Sequence, residues 1–83
     1  MIYIISFSST TDAMMASSLL TRAKIAYYTV ALPGAIKAGC GMALRLQIDE
    51  GQLAEMLKPL KQSSLTYEVY KQIESGDYER VVL

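Results

Sequence analysis

Cys40 is the only cysteine in the 83-residue chain, and it stands inside Leu32-Pro33-Gly34-Ala35-Ile36-Lys37-Ala38-Gly39-Cys40-Gly41-Met42-Ala43-Leu44-Arg45 with a glycine on either side. The thiolate is the nucleophilic form of cysteine, and once its pKa is lowered it attacks sulfur or selenium without a separate base. Lys37 and Arg45 are the flanking cations that would favour the thiolate. Gly39 and Gly41 remove side-chain bulk and free the backbone, so a second protein's sulfur could approach closely. Pro33 marks the start of the loop and completes the candidate binding frame.

The rest of the composition narrows this chemistry by subtraction. There is no histidine, so imidazole base catalysis of the papain kind has no carrier and the commonest metal ligand is missing. A single thiol excludes a CxxC dithiol couple and any multi-cysteine metal site, and no cofactor is expected. A free cysteine is also often a small buried hydrophobe. The residues alone therefore leave three uses open: covalent carriage, redox modification and inert packing.

The elements that must position the thiol come next. Ile2 to Phe7 is an apolar, β-branched run that predicts a central first strand. Ser8-Ser9-Thr10-Thr11-Asp12 supplies helix-start chemistry, and Ala13, Ala16, Leu19, Leu20 and Ala23 predict a helix from about Asp12 to Ala23 with a core-facing stripe. Met14 and Met15 read as gap-fillers on it. Ala26 to Leu32 predicts a second strand ended by Pro33. From Met42 the alternation sends Met42, Leu44, Leu46 and Ile48 one way and Ala43, Arg45, Gln47 and Asp49 the other, a half-buried third strand. Asp49-Glu50-Gly51-Gln52 resembles a capping box before the stripe Leu53, Met56, Leu57, Leu60, and Pro59 predicts a kink or an end near Lys58. Thr66 to Glu74 alternates as a fourth strand, and after Ser75-Gly76-Asp77 the tail Tyr78 to Leu83 is expected to add an edge strand or lie along a partner.

Strand, helix, strand, strand, helix, strand is the order of a ferredoxin-like βαββαβ sandwich, an α+β fold with two helices on one face of an antiparallel sheet. In it the Pro33–Gly41 loop is expected to project from a hairpin end, with Cys40 at its base. With 52% hydrophobic and 19% charged residues, the sequence reads as one globular domain over residues 1–83. A domain so small is marginally stable by itself, so a homodimer is a natural expectation.

A lone cysteine favours a reducing compartment, Met1 to Ile5 lacks the basic start of a signal peptide, and no apolar run reaches the roughly 18 residues of a membrane span. The expectation is a cytoplasmic protein with no membrane partner. Net charge is zero, yet residues 1–48 hold four bases against one acid and residues 49–83 four against seven, or +3 and −3. The thiol therefore lies on the positive half, which suits an anionic ligand or acidic partner. With no basic stripe, nucleic acid is not an expected partner.

Pro33 and Ile36, followed by Cys40-Gly41-Met42-Ala43-Leu44-Arg45, resemble the Pro-x-x-Ile-x-x-x-Cys-Gly-x-Ala-Leu-Arg signature of the DUF3343 family of sulfur or selenium carrier-like proteins. The Tyr-Ile-Ile-Ser-Phe opening, the Ser/Thr-rich turn with Asp12-Ala13 and the acidic start of the later helix fall in the same order, so the likeness covers nearly the whole chain. Gly34 and Gly39 depart from it, standing where many relatives carry Arg and a small hydroxyl residue. The resemblance implies a carrier rather than an enzyme in the strict sense. Cys40 would hold sulfur or selenium as a persulfide or perselenide, Lys37 and Arg45 would stabilise the anion, and Gly39, Gly41 and Pro33 would admit the partner. The implied partners are cysteine desulfurases and TusA-like or YedF-like sulfur-transfer proteins. The alternative is a small regulatory or ligand-binding module acting through its exposed sheet face, including Tyr28 or Tyr70, with Cys40 incidental. A pure interaction subunit is a third reading.

Overall fold

The computed structural model describes residues 1–37 and 39–82; Ala38 of the cysteine loop and Leu83 of the tail lie outside the described residues. The elements run β1 (Ile2–Phe7), α1 (Thr10–Arg22), β2 (Tyr28–Ala31), β3 (Met42–Gln47), a short 3-10 turn at Glu50–Gln52, α2 (Leu53–Met56), α3 (Lys58–Lys61), β4 (Tyr67–Gln72) and β5 (Tyr78–Val81). The sheet order is β2-β3-β1-β4-β5, with every neighbouring pair antiparallel. The molecule is thus an α+β protein built on a five-stranded antiparallel sheet.

β1 lies in the middle because it is apolar on both faces. Tyr3, Ile5 and Phe7 turn towards the helices and Ile4 and Ser6 towards the other side, and all five are buried. Its register sets Ile5 opposite Leu44 on one flank and Val69 on the other. The helix-side core joins Ala13, Ala16 and Leu20 of α1 to Leu53, Leu57 and Leu60 of α2, its following residue and α3, over Tyr3, Ile5, Phe7, Leu44, Leu46 and Val69. Both helical segments therefore cover the same face, and the small Ala13 and Ala16 let α1 approach it closely.

Ser9 caps α1: its Oγ accepts from the Asp12 N–H at 3.1 Å, which satisfies one of the free donors of the first turn. Asp12 sits in that turn, where its charge complements the positive end of the helix. The helix starts at Thr10, two residues before the sequence expectation, because Ser9 takes the capping role.

The expected second helix is divided where Pro59 predicted a kink or an end: Pro59 has no N–H for a bond to Glu55, and two four-residue segments meet at Leu57, next to Lys58. The bonds that remain, Leu57 N–H to Leu53 O at 3.0 Å and Lys61 N–H to Leu57 O at 2.9 Å, keep Leu53, Leu57 and Leu60 on one buried line. The tail adds β5 along β4, with Val81 opposite Val69.

The connection between β2 and β3 does not project. Pro33 O accepts from the Ile36 N–H at 3.0 Å, and the turn brings Ile36 down on the helix-free face, where it packs with Ile4 and Ala43 and is 5% exposed. An apolar side chain amid glycines had a buried place to go, and its burial folds the loop back over the sheet.

Candidate functional site

The thiol is positioned mainly by backbone. The Cys40 N–H donates to Phe7 O at 2.8 Å, tying the end of the loop to the end of β1, and the Leu32 N–H donates to Gly41 O at 3.0 Å, closing the hairpin. Cys40 is half-buried against the helix-side core, and its Sγ–H donates to Met42 O at 3.3 Å. Ser9, the cap of α1, follows two residues after Phe7, so the chain enters α1 from the strand end to which Cys40 is tied.

The two flanking glycines serve different ends. Gly39 has φ +128°, and a Cβ there would stand 3.1 Å from Phe7 O and 3.3 Å from the Ser6 Cβ, so both torsion and space call for glycine. A Cβ on Gly41 would meet open space. Gly41 is therefore exposed with open space around it, while Gly39 lets the loop pass tightly over β1.

The predicted cations divide likewise. Lys37 is exposed in the loop, three positions before Cys40. Arg45 follows the alternation of β3 onto the helix-free face, beside Tyr28 and opposite Ile4 in register, whereas Cys40 packs on the helix side. The strand stretch from Met42 to Arg45 alone adds about 10 Å at the usual strand rise. The Arg45 guanidinium instead lies 5.6 Å from the centre of the Tyr28 ring and donates to Gln47 Oε1 at 3.5 Å. Of the predicted residues, Cys40, Gly39, Gly41, Pro33 and Lys37 share the loop, and Arg45 stands apart.

A pocket of about 120 Å³ opens beside Gly39 and is lined by Ser6, Ser8, Thr66 and Glu68 among others. Glu68 also joins a polar cluster that sequence reasoning missed: it accepts from the Tyr70 hydroxyl, and Arg80 Nε lies 3.9 Å from its Oε2. The hydrogen bond to Glu68 is the main cause that pushes the Tyr70 pKa up, with burial and the Glu68 charge adding to it and Arg80 and Ser6 opposing. The alternation of 66–74 placed Glu68 and Tyr70 on one face, but only the β4–β5 register brings Arg80 to them. Among the described residues no group of three or more His, Cys, Asp or Glu side chains comes together as a metal site, and no helix is long and apolar enough to cross a membrane.

A family model described as "Putative Se/S carrier protein-like" matches residues 2–71, a span that holds the entire cysteine loop and the first four strands except the last residue of β4. No curated protein and no solved structure matches the chain.

Proposed function

The chain belongs to the Putative Se/S carrier protein-like family, and on that premise we propose that Cys40 carries sulfur or selenium as a persulfide or perselenide. The observation that carries the reading is the family match across the loop, joined to a half-buried thiol next to the exposed Gly41. The step is a thiol exchange. The Cys40 thiolate attacks the terminal sulfur of a donor persulfide, the donor's S–S bond breaks, its thiol leaves as a thiolate and takes up a proton, and a new S–S bond forms at Cys40. The sulfur keeps its oxidation level, so no outside oxidant enters. A second thiol attacking the new terminal sulfur unloads it by the same exchange.

Lys37 is the nearby cation suited to the persulfide anion; Arg45, on the other face, is assigned to Tyr28 and the sheet. The strand order β2-β3-β1-β4, with helical segments after β1 and β3, supports reading the first four strands as a ferredoxin-like unit extended by β5. Cysteine desulfurases are the proposed donors and TusA-like or YedF-like proteins the proposed neighbours in transfer, in a reducing, cytoplasmic setting.

A second reading, a ligand-binding module, is favoured by one observation: Glu68, which accepts from the Tyr70 hydroxyl, lines the small pocket beside Gly39. The two separate cleanly. Treated with a low-molecular-weight persulfide, the folded chain should gain one sulfur by intact mass and lose it to an acceptor thiol, while Cys40→Ser gains none. A wild-type thiol that resists alkylation in the folded state and takes up no sulfur would overturn carriage.

A further inference from the structure

The small pocket beside Gly39 lies where β1 ends against the start of β4, with Phe7 opposite Tyr67 and Ser6 opposite Glu68 in register. At about 120 Å³ it is smaller than the roughly 300 Å³ at which drug-sized sites begin, so it admits only the head of a small molecule.

Glu68 is the one charged residue lining it among the described residues. Its side chain is 33% exposed, and both of its contacts, the Tyr70 hydroxyl and Arg80 Nε, go to Oε2. Among the described residues Oε1 has no hydrogen-bond partner, so one carboxylate oxygen is free to accept. The Ser8 and Thr66 hydroxyls add acceptors, and the Phe7 and Tyr67 rings, 6.5 Å apart, add aromatic surface of the kind that attracts a cation. An ammonium group, with its N–H donors and positive charge, is the head that such a lining suits. The larger groove that Glu68 also lines holds Lys61 and Arg80, which turn a cation away.

The thiol is close by. Gly39 lines the pocket and immediately precedes Cys40, one Cα step of about 3.8 Å along the chain. Phe7, also in the lining, accepts from the Cys40 N–H at 2.8 Å, and Cys40 packs against the same core as Tyr67.

We infer that this pocket holds the ammonium group of a small amino-thiol, so that the preferred low-molecular-weight donor to Cys40 is an amino-thiol persulfide such as that of cysteine. The inference rests on carriage by Cys40. With the ammonium at Glu68, the Cys40 thiolate attacks the donor's terminal sulfur. The donor's S–S bond breaks, the amino-thiol leaves as a thiolate and takes up a proton, and the new S–S bond forms at Cys40 with no oxidant consumed.

Two measurements test the pocket, one through transfer and one without it. The first follows sulfur uptake by intact mass from cysteine persulfide and from mercaptopropionate persulfide, which lacks the ammonium. The two leaving thiols differ in pKa and so in intrinsic rate, and the ratio of the uptake rates is therefore compared between variants. Glu68→Gln, with unchanged circular dichroism, should lower the ratio about three- to tenfold, the span from an exposed ion pair to a charge-assisted hydrogen bond. Tyr70→Phe, which leaves the carboxylate in place, should keep the wild-type ratio. The second measurement titrates Cys40→Ser with ethanolamine and follows backbone amides by NMR. Saturable shifts are expected at Gly39 and Thr66, weakened when Glu68→Gln is added. An unchanged ratio in Glu68→Gln, or amides that do not shift, would overturn the site. A wild-type chain that takes sulfur from neither persulfide would overturn carriage and the donor assignment with it, and the amide shifts would still decide whether the pocket binds an ammonium.

Discussion

At Gly39 the chain meets two demands at once, a positive φ and a backbone approach to β1 in which an added Cβ would come within 3.1 Å of Phe7 O. Gly39→Ala should therefore destabilise the protein by about 1–3 kcal/mol in urea unfolding, the range for a residue forced into a sparsely populated conformation. The same substitution at Gly41, where space is open, lacks the steric part of that cost. Tyr70 supplies a second test at this scale. Its pKa is raised above the ordinary value of 10.0, first by its hydrogen bond to Glu68. A folded pKa above the unfolded one means that the protonated phenol contributes stability in full below about pH 10, and that this is lost as pH rises through the folded value. Glu68→Gln should move the Tyr70 titration towards the ordinary value in NMR of tyrosine-labelled protein; an unmoved titration would show that burial, not the carboxylate, controls it. At this scale the sequence picked out Cys40 and its glycines, because residue type carries the chemistry, but it could not separate Gly39, which the backbone requires, from Gly41, which leaves space.

Among the elements, α1 depends on a single side-chain cap, Ser9 Oγ to Asp12 N–H. Ser9→Ala should cost about 1 kcal/mol in thermal or urea unfolding, and Ser9→Asp should restore most of it. A Ser9→Ala variant as stable as wild type would mean that another group caps the helix. The strands were legible because period-two alternation survives folding: Leu44 and Leu46 do face the helices, and Ala43 and Arg45 the other side. The break in the stripe Leu53, Leu57, Leu60 was legible too, because Pro59 removes a bond and divides the element at Leu57, next to the expected Lys58. One feature was not. The loop reads as projecting because glycine and proline signal a turn, whereas the burial of Ile36 against Ile4 and Ala43 is a long-range contact that no local pattern encodes.

Over the whole molecule, the sheet separates what the linear sequence places together. Arg45 is five residues from Cys40 in sequence, yet the pleat sends it to the face away from the helices, where it covers Tyr28. Glu68 and Arg80, twelve positions apart, meet because β5 returns along β4. The arrangement leaves one thiol tied to the end of β1 in a loop that also holds the exposed Gly41 and Lys37, and a neutral strand edge on the far side of β3. Carriage at that thiol requires only a donor with a sulfane sulfur. The most direct measurement is the intact mass of the purified chain after incubation with a cysteine desulfurase and cysteine. The account predicts an adduct of one sulfur atom that a reducing agent removes and that Cys40→Ser does not form; a wild-type chain that stays at its unmodified mass while the desulfurase turns over would contradict it.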